Sequence, residues 1–313
     1  MNRLFRWRRG AREPGWLAVS LQAGSLHFAH GVSEPGKKSA IRSWGTRTFD
    51  DSPKDFERVT KELGVERYQC LSVLPSTDYQ MLLVDAPNVP APELKAAVRW
   101  KLKDMLDYHV DDATIDVLDI PVPTPGARGH SMYAVAARND LIQATIERFT
   151  TAQVPLSVID IGETAQRNIA ALFETQDRGL GMLYLFSRQA LLTINFRGEL
   201  YLSRRIDVGT DQLLDAPPAQ HDEALNRILL ELQRSLDHLD RQFPFLTLAK
   251  LLLAPEPRDT GLATYLSANL GLPVERAQLQ AVIEFADGAP DDETAWRLFH
   301  VLGAALRNET KAL

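Results

Sequence analysis

Apolar residues alternate with polar ones near the start of the chain and then recur at helical spacing. Residues 16–30 predict two strands joined by a tight turn, and 41–49 predicts a third strand. Between 53 and 63 the apolar positions take the three- and four-residue spacing of an amphipathic helix, which Gly64 is expected to end. This part of the chain therefore predicts three strands followed by a helix.

The same opening recurs in the second half of the chain. Residues 183–196 predict another pair of strands, and the turn Arg197-Gly198 leads to a third strand at 199–207. Elsewhere predicted strands and helices alternate, which favours an α/β fold. The other predicted strands lie at 68–74, 79–85, 114–120, 132–137, 156–161, 250–253 and 273–275, and the other predicted helices at 94–106, 141–151, 163–173, 221–243, 262–270 and 294–307.

Composition and charge narrow the classes of function. The 313 residues are 45% hydrophobic and can bury about two domain cores, and we place the boundary at 176–181. A formal charge of -6 argues against general nucleic-acid binding, because phosphate neutralisation needs a basic surface. No run approaches the ~18 apolar residues of a membrane span. The single cysteine, Cys70, is expected to be a buried thiol in a reducing compartment.

The concentrated basic stretch of the chain is its N-terminal arm, residues 1–14. Arg6, Arg8 and Arg9 are interleaved with Trp7, which suits contact with an anionic lipid surface, and a solvated tail is the alternative interpretation. No apolar run of signal-peptide length follows the arm. The chain is therefore expected to stay in the compartment where it is made.

Several short segments follow one another in an order that carries a family resemblance. They are Asp85-Ala-Pro-Asn-Val-Pro-Ala-Pro-Glu-Leu-Lys-Ala-Ala-Val-Arg-Trp100, Val135-Ala-Ala-Arg138, Ser157-Val-Ile-Asp-Ile161, Gly198-Glu-Leu-Tyr-Leu-Ser-Arg204, Leu232-Gln-Arg-Ser-Leu236 and Leu302-Gly-Ala-Ala-Leu-Arg307. Each segment is short, and the ordered set covers nearly the whole chain. The set resembles the PilM family of type IV pilus assembly proteins, and most of all its MSHA-pilus branch.

The resemblance implies a fold and a division of the chain. The fold would be α/β and actin-like, with two related sheet-helix lobes and a small α/β subdomain inserted in the first lobe. The first lobe is expected at 15–178, with the inserted subdomain at about 79–149, and the second lobe at 179–313. The closing helix at 294–307 is expected to pack back on the first lobe.

Family members that bind ATP are expected to carry an Asp-containing glycine loop in each hairpin. Here the corresponding turns contain Gln22, Gly24 and Ser25 in the first half, and Ser187 and Arg188 in the second. Neither turn has the carboxylate that organises Mg²⁺. At the expected adenosine site, 253–257 contains two prolines, which lack N–H donors, and a glutamate, Glu256, which would repel an anionic ligand. The turns are therefore interpreted as degenerate phosphate loops, and neither ATP nor Mg²⁺ is expected as a cofactor.

One segment favours the opposite conclusion. Asp160, Gly162 and Thr164 form an Asp-x-Gly-x-Thr pattern at a predicted strand-to-helix junction, a place that often holds phosphate. The alternative is that Asp160 and Thr164 cap the helix without any ligand. The seven histidines lack metal-ligand spacing, and the chain has no nucleophile elbow or dinucleotide loop. We therefore expect no metal site and no catalytic residue.

The resemblance also supplies a role and a partner. It implies a cytoplasmic scaffold, peripheral to the inner membrane, that holds the N-terminal cytoplasmic tail of a PilN-like bitopic membrane protein. The tail would lie in a groove between the first core subdomain and the inserted one. An extended tail could add hydrogen bonds at a strand edge. Arg99, Trp100 and Lys103 are the candidate contacts. The alternative interpretation places Trp100 in the core and leaves Arg99 and Lys103 on a solvated face.

Two other functions remain open at this point. One is a functional actin-like ATPase that drives pilus assembly and uses Asp160, or a loop not recognised from the sequence, to bind Mg²⁺. The other is an adaptor for the pilus assembly ATPase or the platform protein, without a peptide groove. Binding of Mg-ATP distinguishes the first from a scaffold, and binding of a tail peptide distinguishes the second.

Overall fold

The computed structural model describes residues 12–22, 24–34, 36–121, 130–175 and 177–308. The candidate lipid contacts Arg6, Trp7, Arg8 and Arg9 lie outside the described residues. Within these ranges strands and helices alternate along the chain, which confirms the α/β class that the hydrophobic pattern predicted.

Most elements lie within a few residues of their predicted positions. The strands are β1 (Trp16–Gln22), β2 (Ser25–Val32), β3 (Ser39–Thr48), β4 (Gln69–Val73), β5 (Tyr79–Asp85), β6 (Ala113–Asp119), β7 (Ser131–Arg138), β8 (Leu156–Asp160), β9 (Gly179–Leu185), β10 (Ala190–Phe196), β11 (Glu199–Ile206), β12 (Leu248–Leu253), β13 (Val274–Arg276) and β14 (Ile283–Phe285). The helices are α1 (Pro53–Leu63), α2 (Ala91–Leu102), α3 (Asn139–Thr151), α4 (Gly162–Phe173), α5 (Thr210–Leu214), α6 (Pro218–Gln242), α7 (Leu262–Asn269), α8 (Leu279–Val282) and α9 (Asp292–Ala305). In the described part of the chain, no helix combines the length and hydropathy needed to cross a membrane.

The first lobe is built on a six-stranded sheet with the order β14-β3-β2-β1-β4-β8. Strands β1, β2 and β3 form an antiparallel meander, and β4 and β8 continue it with parallel pairing. Strand β14 comes from the second half of the chain and pairs in parallel with β3. The sequence did not predict β14, because three residues are too few to show a periodicity.

The second lobe repeats this arrangement. Its five-stranded sheet has the order β11-β10-β9-β12-β13. Strands β9, β10 and β11 form an antiparallel meander, and β12 pairs in parallel with β9, as β4 does with β1. The similar hairpin openings in the two halves of the sequence therefore correspond to two related sheets.

Two helices lie between the sheets, and each packs on the sheet of the other half. Helix α4 follows β8 of the first sheet but packs on β9, β10 and β11, whereas α9 comes from the second half and packs on β1 and β2. The helices approach closely, since a Cβ atom on Gly303 would lie 2.1 Å from the carbonyl oxygen of Ala165. Buried side chains of both sheets, including Leu71 and Met182, form one core with the two helices.

The inserted subdomain is a three-stranded antiparallel sheet with the order β5-β7-β6. One face packs on α2 through Val98. The other face meets the second lobe, where Tyr133 Oη accepts a hydrogen bond from Ser203 N at 2.9 Å. Helix α3, expected within the insert at 79–149, contacts β6 and β7 of the insert, and its Phe149 also packs against Phe56 in the core of the first lobe.

Helix α2 ends four residues before the end of the predicted segment at 106. The amide N atoms of Met105 and Leu106 both donate to Leu102 O from the turn that follows. Leu106 packs against the core of the inserted subdomain from this turn. The apolar spacing therefore continues beyond the helix, which is why the pattern predicted a longer one.

Candidate functional site

The turn between β1 and β2 uses its polar groups within the protein. Gly24 adopts a φ of 78°, and its carbonyl oxygen accepts a hydrogen bond from Phe49 N at 3.2 Å. Ser25 Oγ lies 3.0 Å from His27 Nε2. Gln22, by contrast, lines the cleft between the two lobes. The predicted phosphate-loop residues of the first half therefore do not converge on one point.

The turn between β9 and β10 is hydrogen-bonded to α5, the helix that follows β11. The carbonyl oxygens of Phe186 and Ser187 accept hydrogen bonds from Thr210 N and Asp211 N, both at 2.9 Å. These bonds satisfy N–H groups in the first turn of α5. Among the described side chains that line the cleft, Phe186 is present but Ser187 and Arg188 are not.

Glu256 is held by contacts inside the second lobe. Its carboxylate is buried, accepts a hydrogen bond from Thr260 Oγ1 and lies 3.4 Å from the Arg276 guanidinium. Burial raises the pKa of Glu256, although the Thr260 hydrogen bond and the Arg276 charge oppose this shift. The segment after β12 therefore presents a carboxylate that is already bound to neighbouring side chains.

The Asp-x-Gly-x-Thr segment begins α4 through contacts within the protein. Asp160 is buried, and its Oδ2 atom lies 3.0 Å from Arg307 Nη1. Its Oδ1 atom accepts hydrogen bonds from Thr164 Oγ1 and, at 2.9 Å, from Ile161 N. Both oxygens of Asp160 are therefore engaged. Among the described residues, no group of three or more His, Cys, Asp and Glu side chains is arranged to hold a metal ion.

Tyr79, Glu163 and Arg205 form a buried polar cluster where the lobes meet, and we call it the interlobe cluster. Arg205 Nη2 donates to Glu163 Oε1 at 3.0 Å, and Tyr79 Oη donates to Glu163 Oε2. Tyr79 Oη also accepts a hydrogen bond from Gly162 N at 3.1 Å. Arg205 Nη1 donates to Ser76 O at 2.5 Å. The cluster thus joins β11 and α4 to the end of β4 and the start of β5.

The interlobe cluster was missed by sequence reasoning. Its members come from three separate segments, and no local spacing connects them. Burial, together with the negative charge of Glu163, raises the pKa of Tyr79 well above its usual value. The pKa of Arg205 is also raised, because burial lowers it by less than its attraction to Glu163 and Tyr79 raises it. The tyrosine therefore stays a neutral donor and the arginine a cation over the accessible pH range.

Aromatic rings narrow the cleft beside the interlobe cluster. Tyr184, Phe186 and His300 line it, and the His300 ring stacks on Phe186 at 5.2 Å and 6°. The remaining cavity is about 70 Å³. Small-molecule pockets in proteins are typically about 300–1,000 Å³. The cleft in this structure is therefore much smaller than a typical small-molecule pocket.

His300 presents a polar atom to this apolar surrounding. Its Nε2 atom is buried and has no hydrogen-bond partner among the described residues. Burial, together with the positive charge of Arg205, lowers the pKa of His300 to about 3. The ring is therefore neutral at physiological pH, and protonation would place a charge beside Arg205.

The candidate partner contacts on α2 have different roles. Arg99 Nη1 donates to Val110 O at 2.5 Å and its Nη2 to Ala113 O at 3.1 Å, so this guanidinium ties α2 to β6. Trp100 is 77% exposed, and Lys103 is exposed as well. The alternative that placed Trp100 in the core is therefore wrong. The helix turns Trp100 away from the inserted sheet, because Val98 occupies the buried face.

Strand β5 forms one edge of the inserted sheet. Within the described ranges it pairs with β7 on one side, and its other side carries no strand. Leu83 is 47% exposed on this strand. Its neighbour Val84 faces the core beneath α2, so Leu83 points to the opposite face of the sheet. Leu83 and Trp100 therefore lie on different sides of the inserted subdomain.

Comparison with known proteins supports the fold. No protein-family model matches the chain, and no curated protein matches it. A chain of a "PilM-PilN type IV pilus biogenesis complex" has 18% sequence identity and a TM-score of 0.67, with 93% of this chain and 96% of that chain covered. The cytoplasmic domain of EpsL, an inner-membrane component of the type II secretion system of Vibrio cholerae, has 11% identity and a TM-score of 0.50, with 94% and 96% covered. At these identities the similarity establishes the fold, which is the actin-like α/β fold expected from the sequence.

His300 is predicted to make the protein sensitive to acid. Its folded-state pKa of about 3 lies below the ordinary value of 6.5, so the unfolded chain binds the proton more readily between these two values. The free energy of unfolding should therefore fall as the pH drops from 6.5, by at most about 1.4 kcal/mol for each pH unit. We expect His300→Phe, which keeps the stacked ring, to flatten this dependence in urea unfolding at pH 7, 6 and 5. His109→Gln, at an exposed position, is the control, and equal slopes in all three proteins would contradict the prediction.

Proposed function

We propose that the protein is a PilM-like scaffold of a type IV pilus assembly platform at the inner membrane, and most specifically an MshI-like member that serves an MSHA-type pilus. The proposal is carried by the structural match to a chain of a PilM–PilN complex, which spans 93% of this chain. The family resemblance of the ordered sequence segments supports it independently. The match to the cytoplasmic domain of EpsL is consistent with a cytoplasmic position beneath a membrane complex.

The binding partner would be the N-terminal cytoplasmic tail of a PilN-like bitopic membrane protein. An extended tail can pair with the free side of β5 through main-chain hydrogen bonds, and Leu83 offers it an apolar contact. Trp100 and Lys103 offer a second surface on α2. Because the two surfaces lie on different sides of the insert, we assign the tail to one of them. We place it at β5, since the free side of this strand offers main-chain hydrogen bonds.

The protein would perform this role without a nucleotide. In the two hairpin turns, the carbonyl oxygens of Gly24, Phe186 and Ser187 accept hydrogen bonds from within the protein. Asp160, the carboxylate that could bind Mg²⁺, is paired with Arg307. The cavity of about 70 Å³ is small for a nucleoside triphosphate. These observations favour a pseudo-ATPase over the alternative of an actin-like motor.

The first test is binding of the tail to β5. A fluorescent peptide with the N-terminal cytoplasmic residues of the PilN-like protein should bind the wild-type chain in an anisotropy titration. We expect Leu83→Gln to raise Kd about tenfold or more, because it removes an apolar contact at the centre of the docking edge. The matched control is Leu230→Gln on α6, where the leucine is 46% exposed.

Other outcomes of this titration separate the competing proposals. A loss of affinity in Trp100→Ala with no change in Leu83→Gln would move the tail to the outer face of α2. An absence of binding to the wild-type chain would leave the adaptor for the assembly ATPase as the better proposal.

The second test is binding of Mg-ATP. Isothermal titration of the wild-type chain should give no saturable heat up to about 1 mM Mg-ATP, which corresponds to a binding free energy weaker than about -4 kcal/mol. Micromolar binding that disappears in Asp160→Asn would instead identify Asp160 as a magnesium ligand. That result would replace the scaffold by an actin-like ATPase.

The third test concerns the N-terminal arm, for which we propose contact with anionic lipid through Arg6, Trp7, Arg8 and Arg9. The full chain should co-sediment with vesicles of anionic phospholipid at low salt and be released at high salt, because screening weakens charge attraction. A chain without residues 1–12 should stay in the supernatant. Equal sedimentation of the two chains would show that the arm does not contribute to membrane binding.

A further inference from the structure

The interlobe cluster brings together charged groups that would be costly to bury separately. The Glu163 side chain is 1% exposed, and the Arg205 side chain is 28% exposed. Removing a carboxylate from water is unfavourable unless it gains charged or hydrogen-bonding partners. Glu163 gains both, since one oxygen accepts from Arg205 and the other from Tyr79. The carboxylate is therefore stable in this position only while both partners remain in place.

The two partners of Glu163, Tyr79 and Arg205, belong to different parts of the structure. Helix α4, which carries Glu163, follows β8 of the first sheet and packs on the second sheet, whereas β11, which carries Arg205, is a strand of the second sheet. Ser76 and Tyr79 follow β4 of the first lobe and lead into the inserted subdomain. Arg205 reaches across with one nitrogen on Ser76 O and its guanidinium carbon 4.7 Å from the centre of the Tyr79 ring. Moving β11 away from the first lobe would therefore break the contacts of Arg205 with Ser76, Tyr79 and Glu163 together.

A hydrogen bond between uncharged side chains lies next to the interlobe cluster and also connects the two lobes. Gln189 Nε2 donates to Ser76 Oγ at 3.3 Å, so the turn between β9 and β10 also touches the segment after β4. This hydrogen bond is longer than the Arg205 contact with Ser76 O and involves no charge. Charge-assisted hydrogen bonds are about twice as strong as neutral ones. The arginine is therefore the main polar connection at this point.

We propose that the interlobe cluster holds the two lobes closed through protein contacts alone, and that it also orders the beginning of β5. Tyr79 is the first residue of β5, and its hydroxyl is fixed between Glu163 and Gly162 N. A change in the distance between the lobes is thereby transmitted to the strand whose free edge faces outward. The effect on β5 as a docking edge rests on the proposed tail binding, whereas the closure of the lobes does not.

Two neighbouring arginines on β11 provide a matched test of closure. Arg205 points to the first lobe, whereas Arg204 points to α6, where its Nη1 atom lies 3.3 Å from Glu231 Oε2. Hydrogen exchange of the full chain, measured by mass spectrometry, should be about tenfold faster at 76–79 and 161–164 in Arg205→Met. Arg204→Met should exchange at the wild-type rate in both segments.

Equal exchange in these segments for wild type, Arg205→Met and Arg204→Met would overturn the proposal. If Arg205→Met does not fold, Tyr79→Phe replaces it, because this variant keeps the ring and removes only the hydroxyl between Glu163 and Gly162. Because the hydroxyl itself accepts the hydrogen bond of Gly162 N, the readout for this variant is segment 76–78, where faster exchange supports the proposal and unchanged exchange contradicts it.

The connection to β5 has its own readout. With the fluorescent tail peptide, Arg205→Met should raise Kd about threefold or more, while Arg204→Met leaves Kd unchanged. Faster exchange with an unchanged Kd would retain the closure of the lobes and refute the effect on β5. If the wild-type chain binds no tail peptide, the exchange experiment still decides the closure, so failure of the proposed function is distinguishable from failure of this inference.

Discussion

The contact between α4 and α9 is the constraint on which the rest of the structure depends. Each helix is connected to one sheet and packs on the other, so the two lobes cannot separate without unpacking a shared core. At Gly303 the helices lie so close that a side chain would collide with the backbone at Ala165. Close packing of this kind leaves the two helices little room to shift. This contact keeps the lobes together at their shared core, and the interlobe cluster is the contact proposed to keep the cleft beside it closed.

Because the cleft is narrow, its polar groups have side chains of this protein as their partners. Asp160 and Glu163 are buried at the start of α4, and each has an arginine within hydrogen-bonding distance. Two carboxylates at a helix N-terminus are favourably placed relative to the helix dipole, and the arginines compensate for their burial. The same helix end that could bind an external anion is thus satisfied by side chains of this chain. The actin-like framework can persist on these contacts, since a fold alone does not fix a function.

The sequence predicted the parts of this structure that local patterns control. Helix α1 ends at Gly64, where a left-handed φ of 61° suits glycine, and both hairpin openings were recognised from alternation. The exchange of α4 and α9 could not be predicted, because an apolar helix face does not reveal which sheet it will meet. The contact of Arg205 with Tyr79 could not be predicted either, because it depends on the relative position of the lobes. The residue type of Trp100 was compatible with a buried position or with a partner contact. The structure shows that the side chain is exposed, because α2 turns it away from the inserted sheet.

The two edges of the inserted sheet differ in a way that bears on binding. Exposed strand edges favour association with other strands, and proteins usually protect them. At β6, Arg99 covers the carbonyl oxygen of Ala113, and Asn139 covers that of Asp111 just before the strand. In the described part of the chain no side chain covers the backbone at the free side of β5 in this manner, and Leu83 adds an exposed apolar group there. The start of β6 is thus covered by side chains and β5 is not, which supports placing the proposed partner at β5. The interlobe cluster at Tyr79 would keep that edge in a fixed position for the proposed partner.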